Sequence, residues 1–285
     1  MADQDAATFC ANLVRAHDFP RYASTLFLPG VHRRPMLAIH AFNVEISRIR
    51  DQVTQALSGE MRLQWWTDML AGRGHGGIEG NPVAAELMWT IRNWRLPLER
   101  LAQLIIEHEF DLYNDPMPSL SALEGYANDT ASTLFMCCAR ILVRPSEAID
   151  HLARHAGLAY GMTDVLNKLP QDTARRQLFL PQQFLQAHGS SVDEVFAGKQ
   201  TPKIRGAVDD LVAEAKRHLN TATALLSDVP QEARPAFLPL ALVRRDIKRM
   251  ERRDNDPLAL RRMPRVRMLW TLWRASRSPE FRGGE

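Results

Sequence analysis

Apolar residues recur along most of this chain at intervals of three and four, the spacing that places side chains on one face of an α-helix. The strict alternation of a half-buried β-strand does not stand out anywhere in the sequence. With glycine and proline at the breaks, the periodicity predicts helices over 4–17, 33–56, 59–72, 82–94, 97–114, 119–142, 147–168, 203–227, 235–254 and 265–276. We therefore expect an all-α fold.

The predicted helix over 33–56 has one continuous apolar stripe and a mixed opposite side. The stripe consists of Ile39, Phe42, Ile46, Ile49 and Val53. The mixed side carries His40, Val44, Ser47, Arg48 and Asp51. Such a helix fits a bundle member that lines an internal cavity, but a half-exposed surface helix has the same pattern. The residues alone leave both interpretations open.

A second strip of interest begins at Gly157 and continues through Gly161, Asp164 and Lys168 at helical spacing. Its two glycines allow another helix to approach closely, or leave space for a ligand. Pro170 then predicts the end of this helix, because a proline disfavours helical geometry at the residue before it. In the simplest interpretation Lys168 and Asp172 form a loose surface ion pair without a function.

Composition narrows the class of protein. The chain has 285 residues, 45% of them apolar, which is enough for a sizeable core, and no polar linker divides it, so we expect a single domain over 1–285. A net charge of +3 is too small to predict nucleic acid as a partner. Three cysteines, two of them adjacent, do not form a disulfide framework and suit a reducing compartment.

Location and metal binding can also be addressed from the sequence. No apolar run approaches the roughly 20 residues of a transmembrane helix, and the opening MADQDAATFC lacks the basic and apolar regions of a signal peptide. We expect a cytoplasmic protein, at most peripheral to the inner membrane. His151 and His155 are an i,i+4 pair, but no third ligand follows nearby, so we predict no metal site there.

Two segments carry a resemblance to a known family: AFNVEISRIRD at 41–51 and GMTDVLNKLPQDTARRQLFLP at 161–181. They resemble the motif helices of squalene/phytoene synthases, where the corresponding segments look like AFCRxxDDxxD and xLTNxxRDxxEDxxxGRxYLP. Similar segments occur in order between residues 19 and 273, among them MRLQWW and YANDTASTL. The resemblance implies an isoprenoid-synthase-type helical bundle around a central cavity.

The resemblance also locates the positions where this family holds its metal ions. They fall on Ser47, Arg48, Asp51, Lys168, Gln171 and Asp172. Two carboxylates, two cations and two neutral groups thus stand where six carboxylates are expected, and their formal charges cancel. Mg²⁺ takes hard oxygen ligands, and a protonated lysine or arginine repels it. We therefore expect no catalytic residues at these positions and no metal cofactor.

A narrower resemblance is to the phytoene-synthase-like branch of the family that assists the assembly of mitochondrial respiratory complex I. AFNVE, the MRxQxW pattern and the His188-Gly189 pair after FLP carry it, and that branch shares the loss of acidic ligands. It implies a bacterial, non-catalytic homologue that contacts respiratory complex subunits or assembly proteins and binds a lipid or prenyl ligand. The candidate ligand-binding residues are Arg34, His40, Glu45, Arg48, Tyr126, Tyr160, Asp164 and Lys168.

Alternatives stay open for several of these residues. Glu45 also suits a buried partner for an arginine, and Tyr126 and Tyr160 also suit packing aromatics. An active prenyltransferase that condenses two prenyl diphosphates would recruit the remaining carboxylates to Mg²⁺. Between these extremes, Arg48 and Lys168 could bind a phosphate group directly, because both cations pair well with phosphate.

The C-terminal segment 255–285 is basic and contains the apolar run MLWTLW at 268–273. Tryptophan beside arginine suits the headgroup level of a membrane surface, which would make the protein a peripheral membrane protein. The same run also suits a last helix that docks on the bundle while its arginines stay solvated. The two interpretations are compatible.

Overall fold

The computed structural model describes residues 2–73, 80–252, 254, 256–259 and 263–283. Most of the glycine-rich break at 72–80, and Arg253, Arg261 and Arg262 of the basic segment, lie outside the described residues. The helices are α1 Ala2–His17, α2 Phe19–Thr25, α3 Gly30–Ser47, α4 Ile49–Gln52, α5 Ala56–Leu70, α6 Pro82–Trp94, α7 Leu98–Glu107, α8 Leu120–Ala127, α9 Thr133–Leu142, α10 Glu147–Ala174, α11 Gln182–Ala187, α12 Val192–Phe196, α13 Pro202–Leu225, α14 Leu240–Met250 and α15 Arg265–Ser276. Across these ranges the structure contains no β-strand, so the all-α prediction is confirmed.

Several predicted helices are interrupted or shortened, among them the one over 97–114, which stops at Glu107 before the 3₁₀ helix Phe110–Leu112. The helix over 33–56 is divided at Arg48, where a tighter turn begins with the N–H of Asp51 donating to the Arg48 carbonyl over 3.0 Å. The helix over 119–142 contains a π-helical turn at Asn128–Ser132 between α8 and α9. The helix over 235–254 begins only at Leu240, because its first part belongs to the 3₁₀ helix Gln231–Phe237.

The prediction that Pro170 ends its helix is wrong, because α10 continues through this residue to Ala174. A proline inside a helix removes one backbone hydrogen bond and costs about 3 kcal/mol, so other contacts must hold the next turn. Leu169 is buried in the core just before the proline. Beyond it, the N–H of Gln177 donates to the Asp172 carbonyl over 2.9 Å, and Arg176 takes a left-handed conformation with φ 57°. The helix therefore ends at Ala174, and the chain reverses just beyond it at Arg176.

Helix α10 lies in the middle of the bundle and packs against α9, α13 and the π-helical turn. The turn approaches so closely that a Cβ atom added to Gly157 would lie 2.3 Å from the Cα of Ser132. A Cβ on Gly161 would lie 2.9 Å from the Cβ of Ala127. Of the two uses predicted for these glycines, the structure thus shows close approach of the backbones.

Helix α3 is buried on both sides along most of its length. Its apolar stripe enters the common core, and His40 and Val44 on the mixed side are buried as well. The interpretation of this segment as a half-exposed surface helix is therefore wrong. Exposure increases toward both ends of α3: Gly30, Val31 and Arg33 are exposed at its start, and Glu45, Ser47 and Arg48 are half-buried at its end.

Candidate functional site

The two motif segments meet at one end of the bundle, and an ion pair joins them. Asp51 of α4 accepts a hydrogen bond from the Nη1 of Arg175, directly after α10. The side chains are 40% and 54% exposed, so the pair lies at the rim and not inside the bundle. The remaining carboxylate of the first motif is thus neutralised by a cation that belongs to the second.

Lys168 pairs within its own helix. Its Nζ lies 2.8 Å from an Asp164 oxygen one turn earlier, and not against Asp172 as the simplest interpretation of the sequence had it. An aspartate four residues before a lysine is the favourable orientation for such a pair, because it also suits the helix dipole. Lys168 is 55% exposed, so solvent screens much of this attraction.

Asp172 is half-buried between these pairs. Burial raises the pKa of its carboxyl to about 7. The charges of Lys168 and Arg175 oppose this rise in pKa, while those of Asp164 and Asp111 add to it. Near neutral pH this side chain consequently exchanges between its charged and its protonated form.

The other motif positions provide no cluster of oxygen ligands. The Ser47 hydroxyl donates to the Val44 carbonyl over 3.5 Å. The side chains of Arg48 and Gln171 are half-buried and form no hydrogen bond or ion pair with any residue in the described ranges. Burial lowers the pKa of His17, and the nearby charge of Arg48 lowers it further.

A buried polar group lies behind the rim, between α2 and α10. Arg21 forms a 2.7 Å ion pair with Asp18, and its guanidinium stands 4.5 Å from the ring centroid of Tyr160. Burial and the nearby aspartates raise the pKa of the Tyr160 hydroxyl, although Arg21 opposes this shift. Tyr160 also packs against Phe135 at a centroid distance of 5.8 Å. It therefore serves as a packing aromatic with a cation on its face.

His40 lines a small pocket beside this group. Its Nε2 lies 3.7 Å from the Cys138 Sγ, while its Nδ1 has no hydrogen-bond partner among the described residues. Burial, with the charge of Arg21, lowers the pKa of His40 to about 3, so the ring is neutral. The pocket, which Arg21, His40 and Cys138 help to line, has a volume of about 20 Å³. That is room for roughly one water molecule and far less than a prenyl chain requires.

A third group joins the turn after α7 to the end of α8. The Tyr126 hydroxyl donates to Asp111 over 3.0 Å, and the other oxygen of Asp111 lies 2.6 Å from the Nδ1 of His108. Phe179 packs on the Tyr126 ring at 5.5 Å. Burial and the charge of Asp111 raise the pKa of the tyrosine well above its ordinary range. Tyr126 therefore acts as a neutral hydrogen-bond donor to a carboxylate.

Two predicted ligand-binding residues have other surroundings. Arg34 forms two hydrogen bonds with the buried Glu86, over 2.9 and 2.8 Å, and stacks on Trp89. It lies about 20 Å from Ser47 along α3, at 1.5 Å per residue. Glu45 is half-buried, and burial raises its pKa, while the nearby charges of Arg48 and Arg62 oppose this rise. Glu45 forms no direct ion pair with a described residue, and its role as a buried partner for an arginine stays a prediction.

The sequence analysis missed Asp18, Arg21, His108, Asp111 and Arg175, which complete these groups. A signal was available for Asp18, because an aspartate two residues before a proline suits a helix N-cap, and Asp18 does accept a hydrogen bond from the N–H of Arg21. Arg175 is contained in the second motif segment. His108 and Asp111 carried no pattern that separates them from ordinary surface residues.

The comparison with known proteins decides the family. The family model of squalene/phytoene synthase matches residues 14–274, most of the chain. The chain belongs to the squalene/phytoene synthase family. The fold agrees, since a dehydrosqualene synthase crystallised with a ligand superposes with a TM-score of 0.82 at 14% identity, covering 96% of both chains. The predicted isoprenoid-synthase fold is thereby confirmed.

Within the squalene/phytoene synthase family, this chain is similar to proteins that are named as assembly factors and not as synthases. The chain is 32% identical over 252 residues to a rat (Rattus norvegicus) protein named NADH dehydrogenase (ubiquinone) complex I, assembly factor 6. The match covers 88% of this chain and 76% of the rat protein. A phytoene synthase from Thermus thermophilus is 26% identical over 209 residues, with 72% of this chain and 69% of that protein covered. The predicted narrower resemblance is confirmed at the level of sequence.

Proposed function

We propose that this protein is a non-catalytic squalene/phytoene synthase family member that acts in the assembly of respiratory complex I, through contacts with complex subunits or other assembly proteins. The similarity to the rat assembly factor supports the assembly role. The ion pair between Asp51 and Arg175 is the observation that carries the non-catalytic part. It ties up a carboxylate at a motif position with a cation from the facing segment.

The donor set at the motif positions does not fit a Mg²⁺ cluster. Magnesium requires an octahedral set of oxygen ligands, and ionising a diphosphate requires the metals to stabilise the leaving group. Asp51 is held by Arg175, Asp172 is half-protonated near pH 7, and Lys168 adds a positive charge. Each of these weakens metal binding at the place where the chemistry would need it.

A turnover assay tests the absence of synthase activity. We expect no pyrophosphate release when the protein is incubated with farnesyl or geranylgeranyl diphosphate and Mg²⁺. The contrary result, release that disappears in the Asp51→Ala/Asp172→Ala double variant, would establish the alternative, an active prenyltransferase.

A deletion experiment tests the assembly role independently. Removing the gene should lower the amount of assembled NADH:quinone oxidoreductase, and the wild-type chain should restore it. We expect the Asp51→Ala/Asp172→Ala double variant to restore it equally well, because the proposal needs no metal at these residues. Unchanged complex levels after deletion would exclude the assembly role.

We further propose that the motif rim holds an anionic group without metal, either a phosphate or a lipid headgroup. Arg48 supports this, because it is half-buried and its guanidinium is bonded to none of the described side chains. Binding of a prenyl diphosphate should survive EDTA and be lost in Arg48→Glu. If the rim holds a lipid headgroup, the same substitution should also weaken binding to phosphatidylglycerol vesicles; if it holds a soluble phosphate, vesicle binding should stay unchanged. Arg92→Glu, at an exposed position of α6, is the matched charge reversal and should leave binding unchanged. The two probes separate a soluble phosphate from a membrane source.

The exposed side chains of helix α15 support a second proposed contact, with the surface of an anionic membrane. Leu272 is buried and docks the helix on the bundle, whereas Val266, Trp270 and Trp273 are 79%, 57% and 43% exposed. Arg274 and Arg277 stand 5.8 and 4.3 Å from the rings of Trp270 and Trp273. No helix within the described ranges has both the length and the apolar character to cross a membrane.

Vesicle flotation tests this contact with the full chain. Trp270→Ala/Trp273→Ala should reduce the fraction bound to vesicles that contain phosphatidylglycerol. Leu57→Ala/Met61→Ala removes a similarly exposed apolar pair from α5 and should have no effect. Equal loss in both double variants would indicate nonspecific adhesion and would exclude a site on α15.

A further inference from the structure

A cluster of three metal-binding side chains lies on the side of α10 away from the motif segments. Glu124 of α8, Glu214 of α13 and His218 of α13 place one potential ligand atom each within 4.8 Å of the other two. Glu214 and His218 are one helical turn apart and so share a face of α13. We propose that these three residues form a binding site for a divalent transition metal ion, represented by Zn²⁺.

The orientation of His218 favours this assignment. Its Nδ1 lies 2.8 Å from the Nδ1 of His155, so one of the two nitrogens carries the hydrogen between them. On the opposite edge, the His218 Nε2 lies 3.1 Å from Glu124 Oε1 and 2.9 Å from Nη2 of Arg217, which can only donate. An Nε2 that accepts from Arg217 requires His218 Nδ1 to donate to His155. In that tautomer the Nε2 lone pair points toward the carboxylates.

This is the arrangement that a metal-binding histidine needs. A histidine that binds metal through one nitrogen usually donates the hydrogen of the other nitrogen to a fixed acceptor. In this tautomer His155 is that acceptor and holds the ring in place.

The cation that balances these carboxylates in the structure is Arg217. Its guanidinium lies 2.7 Å from Glu214, 3.4 Å from Glu124 and 2.9 Å from His218. Because its side chain is 54% exposed and lines an open groove of about 700 Å³, it can turn outward when a metal ion enters. One guanidinium leaves a net charge of −1 on the two carboxylates and the arginine, whereas a divalent ion in its place would neutralise both carboxylates.

The ligand types determine the class of metal. One imidazole and two carboxylates suit Zn²⁺, which accepts nitrogen and oxygen ligands at tetrahedral positions and leaves the fourth to water. Mg²⁺ is disfavoured, because it prefers six oxygen ligands. Sequence analysis excluded a site at His151 and His155, since a third ligand was not visible nearby. The fold provides a different set, in which His155 orients a ligand from α13.

Titration of the metal-free full-length protein with Zn²⁺, in competition with a chromophoric chelator, tests the proposal. We expect one ion per chain, with affinity reduced at least about 10-fold in Glu124→Gln and in His218→Ala. Arg217→Gln should increase the affinity, because it removes the competing cation. His188→Ala disrupts a comparable His188–Asp210 pair elsewhere and should not change it.

The outcomes separate the site from adventitious binding. Glu124 is 30% exposed, so Glu124→Gln is expected to fold even where a substitution of the buried His218 does not. Absence of binding in the wild-type protein would overturn the proposal. So would binding that Glu124→Gln leaves unchanged, or that Arg217→Gln weakens. Co²⁺ in place of Zn²⁺ should give the visible absorption of a tetrahedral site, which is absent from an exposed carboxylate site.

Discussion

The charged clusters at the two halves of α10 differ in how their carboxylates are balanced by cations. At the C-terminal half, Asp164 pairs with Lys168 and Asp51 pairs with Arg175, one cation to each carboxylate. At the N-terminal half, Glu124 and Glu214 share Arg217 and face the imidazole of His218. The family motif thus lies at the half where side chains already balance the charge. We therefore expect metal binding to follow the local charge balance, and not motif spacing alone.

The difference is not a matter of stability. Exposed ion pairs contribute about 0–1 kcal/mol, so the pairs at the motif half do little to hold the bundle together. Under the proposal above, their effect is on what the surface binds: we expect the balanced rim to attract no divalent cation and to hold a phosphate only at Arg48. Between the two clusters along α10 lie Gly157 and Gly161, where the helix packs closely against the π-helical turn and α8.

The largest effect on stability is expected for Gly157→Ala, because the added methyl group forces α10 away from the π-helical turn between the two clusters. The new Cβ would lie 2.3 Å from backbone atoms of Ser132, which cannot move as a flexible side chain can. Overpacking of this kind costs about 2–3 kcal/mol even after the better helix propensity of alanine. We expect the midpoint of thermal unfolding to fall by roughly 5–10 °C in calorimetry.

Gly125→Ala is the matched control for this prediction. Gly125 lies in α8, and an added Cβ there would meet nothing within 4 Å. The alanine should therefore leave the unfolding temperature unchanged or raise it slightly, through its helix propensity of up to about 1 kcal/mol. Equal effects of the two substitutions would show that close approach at Ser132 does not matter.

Features of the fold and the site that depend on residues close together in the sequence could be predicted, whereas features that depend on residues far apart could not. The stripe from Ile39 to Ile49 requires only helical periodicity, and it does enter the core, but the residues alone left open whether the opposite side of the helix is buried. The family motifs drew attention to the two segments that meet at the rim. Pro170 was misjudged because local preference ends a helix there, whereas the buried Leu169 and the turn at Arg176 continue it.

Contacts between distant residues could not be predicted in the same way. Asp51 and Arg175 are separated by 124 residues, and His155 and His218 by 63. No periodicity connects such positions, since the three-dimensional path of the chain determines which helices become neighbours. The i,i+4 spacing of His151 and His155 was visible, but only the fold shows that α13 supplies the next imidazole.

Asp172→Asn tests the charge balance at the C-terminal half of α10 through the pH dependence of the protein's stability. A carboxyl whose pKa is raised on folding contributes stability below its unfolded pKa of 3.8 and loses it as pH rises through about 7. The asparagine should therefore stabilise the protein at pH 8, by about 1 kcal/mol after a discount for solvent screening, and have little effect at pH 4. Thermal unfolding at the two pH values measures this difference.

Asp115→Asn serves as the control for Asp172→Asn, since Asp115 is an exposed carboxyl outside the helices. Its effect on the unfolding temperature should be small at both pH values. A stabilisation by Asp172→Asn that is the same at pH 4 and pH 8 would mean that the burial of Asp172 does not disfavour its charge.

The smallest effect is expected for the ion pair that joins the two motif segments. In a double-mutant cycle with Asp51→Asn and Arg175→Gln, the coupling free energy should be about 0.2–1 kcal/mol, because both side chains are substantially exposed. High salt should reduce it further, since exposed charges are screened. Chemical denaturation of the four proteins measures the coupling. A coupling of zero at low salt would mean that Asp51 is free of Arg175 in solution, and the charge balance that distinguishes this half of α10 would then have to come from Lys168 alone.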